Sequence, residues 1–351
     1  MRATQWLRHG RAMIAAAAAI IASTSWAQEV ITLKVAHFLP PPSTAHAKFI
    51  TPWCDKIAKE SSGRLKCQIY PAMQLGGAPP QLIDQARDGI ADIVWTLPGY
   101  SAGRFPTTEV FELPFMTRSA QGSSRALWEY LSANNLLNTE FKDVHIILAH
   151  VHDEGQLHVN GHPIKTMADF KGLKFRAPTR QTNKFLAALG ATPVGMPVPA
   201  VSEALSKGVI DGAMLPWEVV PAVKVQELVK YHSETDPASR ALYTAAFVFA
   251  MNKARYDSLP PELKKVIDNN GGADSSAWVG KVWDESALGA RQLAVKRGNQ
   301  FNTIPLAELA KWETVGQGVV DSWVGEVSAK GYDGRALLKS AEELINKHDA
   351  K

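Results

Sequence analysis

The sequence predicts an α/β fold with two lobes. Short apolar segments alternate with amphipathic ones in two successive series, which predicts strands and helices in turn. The composition, 46% hydrophobic and 21% charged, is that of an ordinary globular protein. A chain of 351 residues is long enough for about two domains. A long apolar segment that returns after the second series predicts that the chain crosses between the lobes more than once.

The elements follow in order. The first series predicts strands at 31–38, 65–71, 91–98 and 144–152, with helices at 45–59, 81–87 and 119–133. The second predicts strands at 172–178, 192–197 and 209–215, with helices at 181–189 and 201–207. The return strand is predicted at 241–252, and a mostly helical C-terminal region runs from Pro261 to Ile345. This alternation predicts largely parallel sheets.

The N-terminus has the pattern of a secretory signal peptide. Three arginines precede an apolar run at 12–22, and small residues then lead to Ala27. We expect residues 1–27 to be cleaved and the protein to reside in the periplasm. The net charge of +4 includes those three arginines, so the processed chain is close to neutral and offers no electrostatic basis for binding nucleic acid. No apolar run approaches the roughly 20 residues that span a bilayer.

The chain has two cysteines, Cys54 on a predicted helix and Cys67 on the following predicted strand. A helix and the next strand are usually neighbours in an α/β unit, and an oxidising compartment permits a disulfide. The Cα separation cannot be read from sequence, so the bonded and free states both stay open. The spacing does not resemble a zinc site.

One motif raises the possibility of catalysis. Residues 99–103, Gly-Tyr-Ser-Ala-Gly, match the nucleophile elbow of serine esterases and follow a predicted strand. The elbow requires a helix next, but the following segment contains two prolines and has no helical period. A glycine-rich loop is the favoured interpretation, and a secreted esterase using Ser101 is the alternative from the enzyme class.

Five histidines lie between His145 and His162, and two of them, His150 and His152, would share one face of a strand. Metals can use that spacing, but a third ligand is not apparent, so polar surface is the favoured interpretation. No phosphate-binding loop, dinucleotide fingerprint or zinc-protease motif occurs. We therefore expect no cofactor and no enzyme activity.

Several segments, taken in order, resemble one family. They are Ser-Gly-Arg-Leu at 62–65, Ile-Tyr-Pro at 69–71, Gln-Leu-Gly-Gly at 74–77, Phe-Glu-Leu-Pro-Phe at 111–115, Lys-Gly-Leu-Lys-Phe-Arg-Ala-Pro at 171–178, Leu-Gly-Ala-Thr-Pro-Val at 189–194, Met-Pro at 196–197, Ser-Glu-Ala-Leu-Ser-Lys-Gly at 202–208 and Val-Ile-Asp-Gly at 209–212. This order resembles the DctP-type solute-binding proteins of TRAP (tripartite ATP-independent periplasmic) transporters. The resemblance covers nearly the whole processed chain.

The resemblance implies a type II-like periplasmic binding protein, a flytrap of two discontinuous lobes. The first lobe would hold 28–153 and about 241–280, and the second 154–240 and about 281–351. The ligand would bind between them and be delivered to a permease of one small and one large membrane subunit.

Arg176 is the central site residue that the resemblance implies. An arginine at the end of an apolar strand can form a two-pronged contact with a carboxylate. The preceding strand, which in some relatives supplies a second arginine, has Gln156 here. The loss of one positive charge argues against a ligand with two anionic groups.

The other implied site positions are mostly apolar. Positions that carry Asn or Glu in some relatives are Phe38, Leu97, Met214 and Leu215 here, and the further wall residues are Trp95, Val198 and Trp217, with Thr179 as the one added hydroxyl. A sugar acid would lose hydration at many hydroxyls without finding partners here. An aromatic monocarboxylate is therefore the first choice. A small 2-oxo or 2-hydroxy acid and an ABC-type binding protein are the alternatives. The absence of a carboxylate at Met214 argues against binding through a cation.

Overall fold

The computed structural model describes residues 29–349, and the predicted signal peptide lies outside them. Eleven strands form two sheets within this part of the chain. The strands are β1 (Ile31–His37), β2 (Leu65–Tyr70), β3 (Ile93–Thr96), β4 (Val144–Val151), β5 (Gly155–Val159), β6 (Lys174–Ala177), β7 (Thr192–Gly195), β8 (Gly212–Pro216), β9 (Tyr231–Thr235), β10 (Ala246–Asn252) and β11 (Gln300–Ile304).

Helices cover both sheets. They are α1 (Thr51–Glu60), α2 (Leu82–Arg87), α3 (Ala120–Ala133), α4 (Arg180–Ala188), α5 (Val201–Ser206), α6 (Val225–Leu228), α7 (Lys253–Asp257), α8 (Pro261–Asn269), α9 (Gly272–Arg297), α10 (Leu306–Ala329) and α11 (Gly334–His348). Their boundaries follow local chemistry. The Ser119 hydroxyl accepts a hydrogen bond from the Gly122 amide at 3.0 Å and so caps α3. Gly298, at φ 85°, ends α9 in the left-handed conformation that glycine adopts without steric cost.

The first sheet has the strand order β2-β1-β3-β10-β4. Its first three strands are parallel, whereas β10 is antiparallel to both of its neighbours. All seven residues of β10 are buried, which explains why the return segment is a continuous apolar run.

The second sheet has the order β11-β9-β5-β8-β6-β7, and β5 is antiparallel to β8 and β9. The predicted two-lobed α/β fold is confirmed. Each sheet is mixed but largely parallel, because a single strand in each, β10 in the first and β5 in the second, runs against the others. The antiparallel pairs arise where β5 and β10 enter a sheet from the other lobe. The residue pattern did not indicate β9 and β11, whose mixed polar and apolar residues lack a clear strand signal, and β5 was expected only from the resemblance, as the strand of Gln156.

Two chain crossings define the lobes near the site. Residues 152–154 connect β4 of the first sheet to β5 of the second, and residues 236–245 lead from β9 back to β10. Helix α9 belongs to both lobes: its Asp284 accepts hydrogen bonds from the first two amides of α3, and its Arg291 pairs with Glu234 on β9 at 2.6 Å. The predicted boundary at about residue 280 falls inside this continuous helix, and the other lobe boundaries stay a prediction.

Helix α11 packs differently from the expectation. It lies against α3 of the first lobe, where Lys347 pairs with Glu129 at 2.9 Å, and Asp349 just beyond it accepts a hydrogen bond from the Arg118 amide. The resemblance implied the second lobe for these residues. An amphipathic helix shows which of its faces is buried, but not which lobe covers that face.

The first lobe contains a disulfide. Cys54 on α1 and Cys67 on β2 are bonded, with their Cα atoms 5.7 Å apart. The bond joins the helix to the edge strand of the first sheet, the neighbours expected from the α/β order. None of the helices within residues 29–349 is both long and apolar enough to cross a membrane.

Candidate ligand-binding site

A narrow cavity lies between the two lobes. Its lining comes from both sheets. Phe38 follows β1, Trp95 lies on β3 and Phe247 on β10, whereas Arg176 lies on β6 and Pro216 ends β8. The cavity therefore sits where the ends of strands from the two sheets face each other, a common position for ligands in α/β proteins.

Aromatic rings form one wall of the cavity. The ring of Phe38 stacks on Trp95 with centroids 4.9 Å apart, and Trp95 stacks on Phe247 at 4.8 Å. Behind them the Trp95 indole N–H donates to Nε2 of His150 at 2.8 Å, which holds the indole in place. This wall can accept the flat face of another ring.

Arg176 is the cation of the cavity lining, and only 1% of its surface is exposed. Its Nε donates to the Met196 carbonyl at 3.0 Å and its Nη1 to the Met214 carbonyl at 2.9 Å. The third nitrogen, Nη2, is buried and makes no hydrogen bond of regular geometry among residues 29–349, although the Tyr100 phenol lies near the guanidinium. Two nitrogens thus fix the guanidinium, and the third is left to bind something else.

Tyr243 supplies a second free donor. Its phenol is buried in the cavity lining, and its hydroxyl has no hydrogen-bond partner in the described chain. Burial lowers the pKa of Arg176, while the Tyr100 and Tyr243 phenols oppose that shift. Arginine nevertheless stays protonated in proteins. Burial lowers the pKa of His152, also in the lining, to about 4, so its imidazole is neutral at pH 7.

The lobes touch beside the cavity. The Val198 amide of the second lobe donates to the Tyr100 hydroxyl of the first at 3.0 Å. Arg180 on α4 pairs with the buried carboxylate of Glu109 in the first lobe. These contacts hold the two lobes together beside the cavity.

Five of the nine predicted site residues line the cavity: Phe38, Trp95, Leu97, Arg176 and Val198. Thr179 lies next to it, in a groove shared with Tyr100. The remaining three are buried elsewhere in the second lobe. The amide oxygen of Gln156 accepts from the Thr235 backbone, and the Leu215 side chain lies in the core.

Trp217 points away from the cavity. Its indole N–H donates to Glu234 at 2.9 Å, and its ring stacks on Phe301 with centroids 5.8 Å apart. The chain turns after Pro216, so the next side chain faces β9 and β11 instead of the first lobe. Trp217 was predicted to line the space for the ligand body, but Phe38, Trp95 and Phe247 supply the rings of the lining instead.

Several lining residues were not predicted from the sequence, among them Tyr243, Ala245, Phe247 and Glu218. Tyr243, Ala245 and Phe247 are alternate residues of the return segment, and extended chain places alternate residues on one face. That period could have identified them. Glu218 had a weaker signal, an isolated acid in an apolar stretch.

The structure does not support the esterase alternative or the metal-site alternative. The Ser101 hydroxyl donates to the Pro80 carbonyl at 3.2 Å, and a one-turn helix at Thr108–Glu112 stands where an elbow would need a long helix. His150, His152 and His158 are buried, so the expectation that these histidines form polar surface is wrong for them. No group of three metal-binding side chains occurs among the described residues.

Comparison with known proteins decides the family. The profile of bacterial extracellular solute-binding protein family 7, DctP, matches residues 35–326. The chain belongs to the DctP family. The resemblance inferred from the sequence motifs is therefore confirmed.

Solved DctP-family relatives share the fold over nearly the full described chain. A TRAP solute-binding protein from Rhodoferax ferrireducens, in complex with copurified benzoate, is 52% identical with a TM-score of 0.90, covering 91% of this chain and 99% of that one. A marine metagenome relative in complex with 3-hydroxybenzoate is 47% identical (TM-score 0.89; 92% and 99% covered). A Bordetella bronchiseptica relative with bound mandelate is 27% identical (0.83; 90% and 99%). This DctP-family chain is thus a solute-binding protein of the TRAP class.

Proposed function

We propose that this protein captures an aromatic monocarboxylate between its lobes in the periplasm and delivers it to the small and large subunits of a TRAP permease, without chemical change to the ligand. The observation that carries the proposal is the buried Arg176 guanidinium, whose Nη2 makes no regular hydrogen bond in a cavity with a stacked aromatic wall.

The carboxylate would bind at Arg176. Its two oxygens can accept hydrogen bonds from Nη2 and from the Tyr243 hydroxyl, the two buried donors in the lining that make no regular hydrogen bond in the described chain. Hydrogen bonds between an ionised donor and a carboxylate are about twice as strong as neutral ones. A monocarboxylate would also neutralise the buried cation, which is costly to leave unpaired.

The body of the ligand would lie against the rings of Phe38, Trp95 and Phe247. The rest of the lining includes Leu97, Val198, Val219 and Ala245, which offer no hydrogen bonds from their side chains. A polyhydroxylated acid would leave several hydroxyls unpaired there, at about 1–3 kcal/mol each. The aromatic acids bound by the relatives agree with this preference.

Calorimetric titration with benzoate, mandelate, pyruvate and glucuronate tests the proposal. We expect benzoate or mandelate to bind and glucuronate not to. Thermal unfolding should rise in parallel, because a ligand at about 100 times its Kd stabilises the folded state by about 2.7 kcal/mol. Binding of pyruvate alone would favour the small 2-oxo acid. Hydrolysis of an ester by the wild type, abolished by Ser101→Ala, would favour the esterase.

The aromatic preference is tested at Phe38. Phe38→Ala removes one stacked ring from the wall, so the affinity for benzoate should fall about tenfold or more, and the affinity for pyruvate should fall less. Phe141→Ala is the matched control, because Phe141 stacks on Phe105 in the first lobe and does not line the cavity. An equal loss for both acids in Phe38→Ala would contradict the aromatic preference.

A further inference from the structure

The cavity lining also includes one acid, Glu218, which interacts with a second buried acid, Asp153. Glu218 lies in the turn that follows β8, and its side chain lines the cavity although only 5% of the residue is exposed. The Thr44 hydroxyl and the Trp283 indole N–H lie near the carboxyl and partly offset the rise in its pKa that burial causes. Its Oε2 nevertheless makes no hydrogen bond of regular geometry within residues 29–349, so it can accept one from a ligand.

Asp153 accompanies Glu218 in the crossing between β4 and β5. It is 4% exposed, and its Oδ2 accepts from the Trp217 amide at 3.0 Å. The two carboxyls influence each other. Burial and the neighbouring Glu218 raise the pKa of Asp153, and burial raises the pKa of Glu218 to about 8. The pair therefore holds a proton that two exposed acids would lose at neutral pH.

Arg176 does not neutralise these acids. Among the ion pairs of the described residues, none within 4.0 Å joins Arg176 to Glu218 or Asp153. The cavity thus presents a cationic donor and, separately, an acidic acceptor, with aromatic rings in the lining around them. A ligand that carries only a carboxylate would satisfy the first and leave the second unpaired.

We propose that Glu218 is a specificity residue that hydrogen-bonds a hydroxyl on the ligand's aromatic body, so that the preferred substrates are hydroxylated aromatic monocarboxylates. This inference rests on the proposed function. A hydroxyl can donate to an ionised carboxylate and can also accept from a protonated one, so it fits Glu218 in either state. A second carboxylate on the ring would meet two acids and be repelled.

The test compares ligands that differ at one ring position. Wild-type protein is titrated calorimetrically with benzoate, 3- and 4-hydroxybenzoate, and 3- and 4-fluorobenzoate. Fluorine cannot donate a hydrogen bond and is close in size to hydrogen. We expect the better hydroxybenzoate to bind about tenfold more tightly than benzoate and the fluorobenzoates to match benzoate. The readout is the ratio of two Kd values, in which benzoate serves as the internal reference.

Two substitutions assign that ratio to Glu218. Glu218→Met keeps the chain length and removes the acceptor, so the ratio should fall to about one. Glu218→Gln keeps an acceptor oxygen, so the ratio should stay above about threefold. Glu203→Gln, an exposed acid on α5, is the control and should keep the wild-type ratio.

Either of two results would overturn the inference alone: benzoate binds but the hydroxybenzoates have no advantage in the wild type, or Glu218→Met keeps the full advantage. If the wild type binds none of these acids, the proposed function fails and this inference fails with it. If a Glu218 variant does not fold, the lack of a hydroxybenzoate advantage in the wild type still overturns the inference.

Discussion

Arg176→Ala should weaken the binding of benzoate by about 30-fold to several thousand-fold. Removal of one partner from a buried charge pair costs about 2–5 kcal/mol, because the carboxylate would be desolvated without its cation. Arg176→Lys should also bind poorly. The ammonium cannot hold the Met196 and Met214 carbonyls with two nitrogens and point a third at the ligand. Calorimetry on the folded variants gives the affinities.

Two further variants make this result specific. Tyr243→Phe removes only the second free donor, so it should cost less than Arg176→Ala, about tenfold in affinity. Arg335→Ala removes an exposed arginine on α11 and should leave the affinity unchanged. Because Arg176 also bonds two backbone carbonyls, circular dichroism must show that each variant is folded. Benzoate affinity within threefold of wild type in Arg176→Ala would mean that another group holds the carboxylate.

Loss of the Cys54–Cys67 disulfide should lower the free energy of unfolding of the first lobe by about 3 kcal/mol. The two cysteines are 13 residues apart, and closing a loop of this length removes about that much conformational entropy, expressed as free energy, from the unfolded chain. Urea unfolding of the double variant Cys54→Ser, Cys67→Ser against the oxidised wild type measures the difference. Ligand affinity should change little, because neither cysteine lines the cavity.

Reduction provides the matched control. A reducing agent should bring the wild type close to the stability of the double variant and leave the double variant itself unchanged. Protein recovered from the periplasm should show no free thiol when it is unfolded without reductant. Two reactive thiols in that experiment would show that the bond does not form in the exported protein.

Pattern and composition predicted much of the fold because they report local preferences. The strands β1, β2, β3, β4 and β10 and the helices α1 to α5 lie where the apolar periodicity placed them. The direction of each strand could not be predicted from local pattern. Strand β10 is antiparallel to β3 because the chain reaches it from the other lobe. Likewise, the sequence left the state of Cys54 and Cys67 open, since only packing brings their Cα atoms to 5.7 Å.

The residues of the candidate site were likewise predicted only in part from the sequence. Arg176 and Phe38 were found from motifs and strand ends, and the structure places both in the cavity lining. Trp217 was expected there too, but a short helix begins directly after Pro216, and the Trp217 ring lies against Glu234 instead. Tyr243 and Glu218 come from other parts of the chain. The alternation of Tyr243, Ala245 and Phe247 indicates a shared face, but not that this face lies opposite Arg176.

By itself, the sequence determined the family, the two-lobed α/β class and one charged residue among apolar side chains, because residue type and order are enough for these. The tertiary structure alone decided which side chains share the cavity and which of their polar atoms lack partners. Those properties depend on contacts between residues far apart in the chain, such as Arg176 and Tyr243, and on the direction each side chain takes after its strand ends.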